Sequence, residues 1–218
     1  MTGTPTAPAA SWPGTVIASC AMIGIAAAAL WSVTFGLRGW TAEAIRRLRV
    51  PADPPQLQAL RLDTSTGTAL VPWGRRETQP RIWLMTFMYT RCPTVCSVLG
   101  IEFERLQRQL TTDPRNAGIG LLSISFDPAH DDVQALQRYA TAHHAEPDRW
   151  IVAVPDSRAD LARVERQTGI VVIDDGFGGF AHNAAIHVVR ADGRLVRIFD
   201  FNQPEAALAW ARTQRESR

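Results

Sequence analysis

Lysine is absent from this chain, and all 23 basic residues are arginine. We read that as compositional bias rather than chemistry, although guanidinium groups suit an anionic partner surface. Against 21 acidic residues the formal net charge is only +2, so nothing in the composition marks a nucleic-acid binder. Cysteine is scarce: Cys20, Cys92 and Cys96 are the three in 218 residues. That is too few for a disulfide scaffold. One close pair with a remote third fits a functional site better than a structural staple. No internal repeat is visible, and at this length one globular domain plus a leader is the simplest organisation.

Charge is also missing locally. Ser11 to Leu37 carries no charged residue, and about 20 apolar residues suffice to cross the hydrocarbon core. Trp12, Trp31 and Trp40 stand where interface anchors belong. We read 1–14 as a short N-terminal tail, 15–37 as a single transmembrane helix, 38–56 as a juxtamembrane linker and 57–218 as the globular domain. A cleaved signal peptide is disfavoured by the missing basic n-region and the long apolar stretch. Ile17 to Cys20 has the form of a lipoprotein cleavage site, but almost no apolar run precedes it. Cys20 is therefore read as an apolar filler within the helix.

Trp40 to Val50 reads equally as a plain charged linker or as a short basic amphipathic helix with Trp40, Ile45 and Leu48 towards the bilayer. Pro51 to Pro55 ends it. Arg38, Arg46, Arg47 and Arg49 follow the span, and charge bias alone would keep the next domain in the cytoplasm. Long domains translocate largely regardless of charge, so the site chemistry decides the orientation.

The most informative stretch is Tyr89-Thr-Arg-Cys-Pro-Thr-Val-Cys96. It follows an apolar run, Arg81 to Met88, that reads as a buried strand. Pro93 suits the first position of a helix, where a missing N–H costs nothing. Cys92 then sits near the N-cap and Cys96 one turn in. Both lie at the positive end of the helix dipole beside Arg91, a setting that lowers thiol pKa values. Residues four apart on a helix have Cβ atoms about 5–6 Å apart, whereas a disulfide wants about 3.5–4.5 Å. The pair reads as a soft-metal site, a redox pair or both; this spacing favours metal binding more than CxxC would, and soft thiolates select Cu(I), with zinc as competitor.

Leu57 to Val71 reads as a hairpin turning at Thr64 to Gly67. After the first central strand, Thr94 to Leu110 is helical, with Val95, Leu99, Phe103, Leu106 and Leu110 on one face. Gly120 to Phe126 and Trp150 to Val154 are strands, with helices at Asp131 to His143 and Arg158 to Thr168. Ile170 to Ile173 is extended. Ala184 to Arg190 pairs with Leu195 to Phe201 through Ala191-Asp-Gly193. Pro204 to Arg215 closes as a helix. This is an α/β order, that of a thioredoxin-like domain with an N-terminal β-hairpin addition.

The chain resembles the Sco/SenC/PrrC family, membrane-anchored copper proteins that help assemble cytochrome c oxidase. Tyr89 to Cys96 is similar to its CxxxC motif, Phe126-Asp-Pro-Ala-His-Asp131 to its Asp-Pro segment, and Phe180 to His187 with Asp192-Gly193 to the segment bearing its ligand histidine. The likeness covers about Leu57 to Trp210. Ser97 stands where the family often has a second proline, which removes no ligand. The resemblance implies a copper ion, Cu(I) or Cu(II), one per chain, held by Cys92, Cys96 and His182. His182 follows a glycine-rich loop expected to let it swing in and out. The implied partners are cytochrome c oxidase subunit II, an upstream periplasmic copper donor and the lipid bilayer through the N-terminal helix. The implied place is the bacterial inner membrane, with the soluble domain in the periplasm. A carrier needs no catalytic base.

The alternative is a thiol–disulfide reductase that keeps the target cysteines reduced, using Cys92 and Cys96 alone. A peroxidase reading is weaker, because Thr90 and Arg91 stand too close to Cys92. His187 is expected to be structural, His130, His143 and His144 to lie on the surface, and Met85 and Met88 to pack in the core. Asp127 is read as a group that hydrogen-bonds near the site, tunes a thiol or caps the next helix, capping being the commoner outcome, and Asp131 likewise suits an N-cap.

Overall fold

The structure is a computed structural model that describes residues 12–74, 80–92 and 95–216, without the side chains of Pro13, Val95, Cys96, Arg215 and Glu216. Pro93 and Thr94, the expected helix start after Cys92, lie outside the described residues, as does the expected tail up to Ser11. The chain divides into two compact units, Met1–Leu48 and Arg49–Arg218.

The first unit is built on α1 (Trp12–Val33). Its stretch Gly14–Val33 has 20 residues at a mean hydropathy of 2.1, none of it buried within the chain. At 1.5 Å per residue that makes about 30 Å, the hydrocarbon thickness. The helix stops four residues short of the expected Leu37. There Phe35, Gly36 and Leu37 all adopt left-handed backbone, with φ of 52°, 71° and 65°. The Thr34 carbonyl accepts from the N–H groups of Arg38 and Gly39 at 3.0 and 2.9 Å, and its hydroxyl accepts from Leu37 N–H at 3.0 Å. The helix end is thereby satisfied without continuing the helix. A second helix, α2 (Ala42–Arg49), carries Glu43 bridging Arg46 and Arg47.

In the second unit, β1 (Leu62–Thr64) and β2 (Ala69–Leu70) form the expected hairpin, shorter than its sequence span. Then come β3 (Ile82–Met88), α3 (Val95–Thr112), β4 (Ile119–Ser125), α4 (Val133–Ala142), β5 (Trp150–Pro155) and α5 (Arg158–Thr168). After these follow β6 (Val172–Asp174), β7 (Phe180–His182), β8 (Ala185–Arg190), β9 (Leu195–Asp200) and α6 (Pro204–Glu216). Seven strands make one sheet in the order β2-β1-β5-β4-β3-β8-β9, while among the described residues β6 and β7 pair only with each other.

Strand β3 is central, parallel to β4 and antiparallel to β8. All seven of its residues are buried, which is why it reads as an unbroken apolar run. In β4 the glycine is a packing necessity: a Cβ at Gly120 would fall 2.5 Å from Pro80 and 2.9 Å from Trp83. Helix α3 presents Leu99, Phe103, Leu106 and Leu110 to the core, each nearly fully buried, and packs beside α6. This is the α/β thioredoxin-like arrangement. It brings the C-terminal ends of β3 and β4 side by side, where functional groups of open α/β sheets gather.

Candidate functional site

The segment leading to Cys92 is fixed from below by two buried aspartates. Asp131 accepts from the Thr90 N–H at 2.9 Å, the Thr90 hydroxyl at 2.6 Å and the Ser125 hydroxyl at 2.6 Å. Asp127 accepts from Arg91 at 2.9 Å and from His130 Nδ1 at 2.9 Å. Burial pushes the Asp127 carboxyl up, but the hydrogen bonds from Arg91 and His130 outweigh it and hold the group below its ordinary value. Its hydrogen bond in turn raises the Arg91 guanidinium. Cys92 closes a turn by donating its N–H to the Tyr89 carbonyl at 3.3 Å, and its side chain is half-buried against the core.

Neither aspartate caps α4: of the alternatives for Asp127 the structure shows hydrogen bonding near the site, and the N-cap expected of Asp131 fails. Asp132 caps the helix instead, accepting from Ala135 N–H at 2.8 Å. One position decides this: Asp131 faces inward to the strand ends, so its neighbour is left to meet the helix. His130 is bound to Asp127 rather than simply solvated. His143 is half-buried against Tyr139 and Trp150, so the surface expectation fails there. His144 is exposed, and His187, Met85 and Met88 are buried in the sheet core as expected.

His182 stands on β7, not in a loop. Its strand pairs with β6 in the register Val172↔His182, and the connecting turn is internally bonded. The Asp175 carboxylate accepts from the Phe177 and Gly179 N–H groups at 2.8 and 2.9 Å, and that of Asp174 from Gly176 N–H at 2.7 Å. The glycine-rich run is thus a built turn, which the aspartates organise through side-chain-to-backbone bonds. Burial alone lowers the His182 imidazole from its ordinary value, which keeps it neutral at physiological pH and suited to ligation.

An aromatic cluster joins the histidine strand to the cysteine segment. The His182 ring lies 5.0 Å from Phe126, Phe126 lies 5.6 Å from Phe180, and Phe180 meets Tyr89 edge-on at 5.2 Å. Tyr89, Phe126 and Phe180 carry this link, which the sequence pattern does not reveal. The only signal is a hydroxyl at the end of an otherwise apolar strand, since a buried tyrosine seeks a partner for its oxygen. Among the described residues no three His, Cys, Asp or Glu side chains converge as a metal cluster. Cys96 contributes only its backbone, in the first turn of α3, to the described structure.

A family model described as SCO1/SenC matches residues 66–215. The chain is 25% identical over 126 residues to the SCO1 protein homolog of Bacillus subtilis (strain 168), covering 57% of this chain but only 63% of that relative. Among solved structures, ScoI of Bradyrhizobium japonicum with copper bound is similar at 22% identity and a TM-score of 0.57, over 72% of this chain and 97% of that one. BsSco, in a structure described as identifying a disulfide switch, is similar at 16% identity and a TM-score of 0.64, over 76% and 96% of the two chains. BsSco is described there as a member of the Sco family of cytochrome c oxidase assembly proteins. At these identities the structures speak for the fold.

Proposed function

Because the chain belongs to the SCO1/SenC family, we propose that it is a membrane-anchored copper carrier. Its cargo is one copper ion per chain, and its target is the dinuclear copper site of cytochrome c oxidase subunit II. The ligands are the Cys92 and Cys96 thiolates and the His182 imidazole. Two soft sulfurs and one nitrogen suit Cu(I) and can also hold Cu(II). Transfer is ligand exchange: cysteines of the acceptor replace Cys92 and Cys96 in turn, while His182 gives way. The domain works on the periplasmic side of the inner membrane, with α1 as anchor and a periplasmic donor upstream.

The single observation that supports this reading is the continuous aromatic bridge from Tyr89 through Phe180 and Phe126 to His182. It brings a neutral imidazole to the same end of the sheet as the cysteine turn. A reductase would need only the cysteine pair and has no use for that imidazole.

Titration of the full chain in detergent against a competing Cu(I) chelator tests it, with Cu(II) binding followed in parallel. His182→Ala is expected to weaken copper binding at least tenfold in one oxidation state, and Cys92→Ser in both. Unchanged affinity in His182→Ala for both states would leave a bare dithiol and favour the reductase. A reporter fused after Arg218 that is active only outside the cytoplasm tests the orientation.

A further inference from the structure

We infer that Tyr89 is a positioning residue whose hydroxyl latches the hairpin bearing His182 onto the segment bearing Cys92, and so sets how the imidazole meets the sulfurs. The inference rests on the reading of His182 as a ligand. Strands β6 and β7 pair with each other and with no strand of the main sheet among the described residues. A two-stranded hairpin is marginal by itself, so its placement depends on contacts made outside its own ladder.

At the site end those contacts centre on Tyr89. Its Oη accepts the Phe180 N–H at 3.2 Å. Its ring meets Phe180 edge-on, at 5.2 Å and 90°, and lies 5.3 Å from Phe126. Phe180 and His182 are two apart on β7, and alternate residues of a strand share a face. Holding the Phe180 backbone therefore holds the strand from which the imidazole projects. Gly179 makes room for the approach: a Cβ there would stand 3.1 Å from Tyr89 Oη and 2.6 Å from the Asp175 carboxylate. At the far end Asn183 accepts from Val171 N–H at 2.6 Å and donates to the Gly169 carbonyl at 3.1 Å. The hairpin is thus held near its base by Asn183 and on the site side by the ring contacts of Phe180 and His182 with Tyr89 and Phe126, to which the Tyr89 hydroxyl adds a directional bond to the β7 backbone. Loss of that hydroxyl would loosen the histidine strand at Phe180 while the rest of the fold stays.

Tyr89→Phe keeps the ring and removes only the hydroxyl. One neutral hydrogen bond is worth roughly a 2- to 13-fold change in the docking equilibrium of the hairpin. In the copper-free full chain, the Phe180 amide is expected to exchange with deuterium faster by about that factor, with β3 and β4 amides unchanged. In the Cu(II)-loaded chain, the nitrogen hyperfine signal of the imidazole is expected to broaden or weaken, and copper release to a chelator to accelerate. Unchanged exchange at Phe180 overturns the latch whatever copper does. Faster exchange with a wild-type Cu(II) spectrum and release rate, where His182→Ala alters both, overturns the positioning role. If His182→Ala alters neither, the copper reading itself fails, and the exchange data alone decide whether Tyr89 holds the hairpin.

Discussion

The carboxylate of Asp131 receives both donors of Thr90, the backbone N–H at 2.9 Å and the hydroxyl at 2.6 Å. Thr90 is two residues before Cys92, so one buried group of α4's leading loop fixes where the cysteine turn leaves the sheet. The same carboxylate takes the Ser125 hydroxyl at 2.6 Å. Asp131→Ala would strand three donors in a site where the aspartate itself is 1% exposed. Each buried donor left unsatisfied costs about 1–3 kcal/mol, and partial rearrangement of the hydroxyls should reduce the sum to about 2–4 kcal/mol. Denaturant unfolding is expected to show that loss, and Cys92 should be alkylated faster than in the parent. A stable variant with parental alkylation would mean that the aspartate does not hold the turn.

A second close relationship lies away from the site. A Cβ on Gly100 would fall 2.4–2.7 Å from three atoms of the His143 ring. In an open helix, Gly→Ala stabilises by roughly 0.5–1 kcal/mol. Here the overlap reverses the sign, because overpacking costs about 1–3 kcal/mol. Gly100→Ala should lower the unfolding midpoint, and adding His143→Ala should recover part of the loss. Additive effects in that double-mutant cycle would show that the two do not touch.

The same histidine gives a pH dependence. Burial lowers the His143 pKa from its ordinary value of 6.5, nearby Glu104 opposes that shift, and His144 adds to it. In the unfolded chain the ring titrates near 6.5. Above that pH both states are neutral and the contribution to stability is complete. As pH falls below 6.5 the unfolded chain takes up the proton first, so stability declines until the folded-state pKa is passed. His143→Gln should flatten that part of the curve. His182, lowered by burial alone, adds a decline of the same sign, so the slope should diminish without vanishing.

How much of this could be read from the sequence follows from which forces are local. The strands Ile82–Met88 and Ile119–Ser125 were legible because a strand covered on both faces must be apolar throughout. The helix Arg158–Thr168 was legible through its spacing, and it is closed by Gly169 in a left-handed cap. The place of Cys92 in the turn after the central strand was legible because the apolar run and the cysteine are adjacent in sequence. Legibility failed where partners are distant: Tyr89 and Phe180 are 91 residues apart, and Thr90 and Asp131 are 41 apart. It failed also at the glycine-rich run, which reads as a loose loop. Asp174 and Asp175 lie beside glycines and look like ordinary turn residues. Only the folded geometry shows their carboxylates collecting three backbone N–H groups.

Those carboxylates lead to a last expectation, about where stability is and is not invested. Asp175 accepts from Phe177 N–H at 2.8 Å and Gly179 N–H at 2.9 Å, yet Phe177 itself is 96% exposed. The turn is therefore organised by polar bonds at the surface, with no apolar core of its own. Because β6 and β7 pair with no strand of the seven-stranded sheet among the described residues, opening the hairpin need not open the domain. Asp175→Ala should leave the global unfolding midpoint within about 0.5 kcal/mol of the parent, as should Phe177→Ser. Amide exchange across Val172–His182 should nonetheless accelerate in Asp175→Ala and stay unchanged in Phe177→Ser. A global loss well beyond that range in Asp175→Ala would mean that the hairpin unfolds together with the core. The His182 strand could then not move as an independent element, and the imidazole release proposed above would have to come from some other motion.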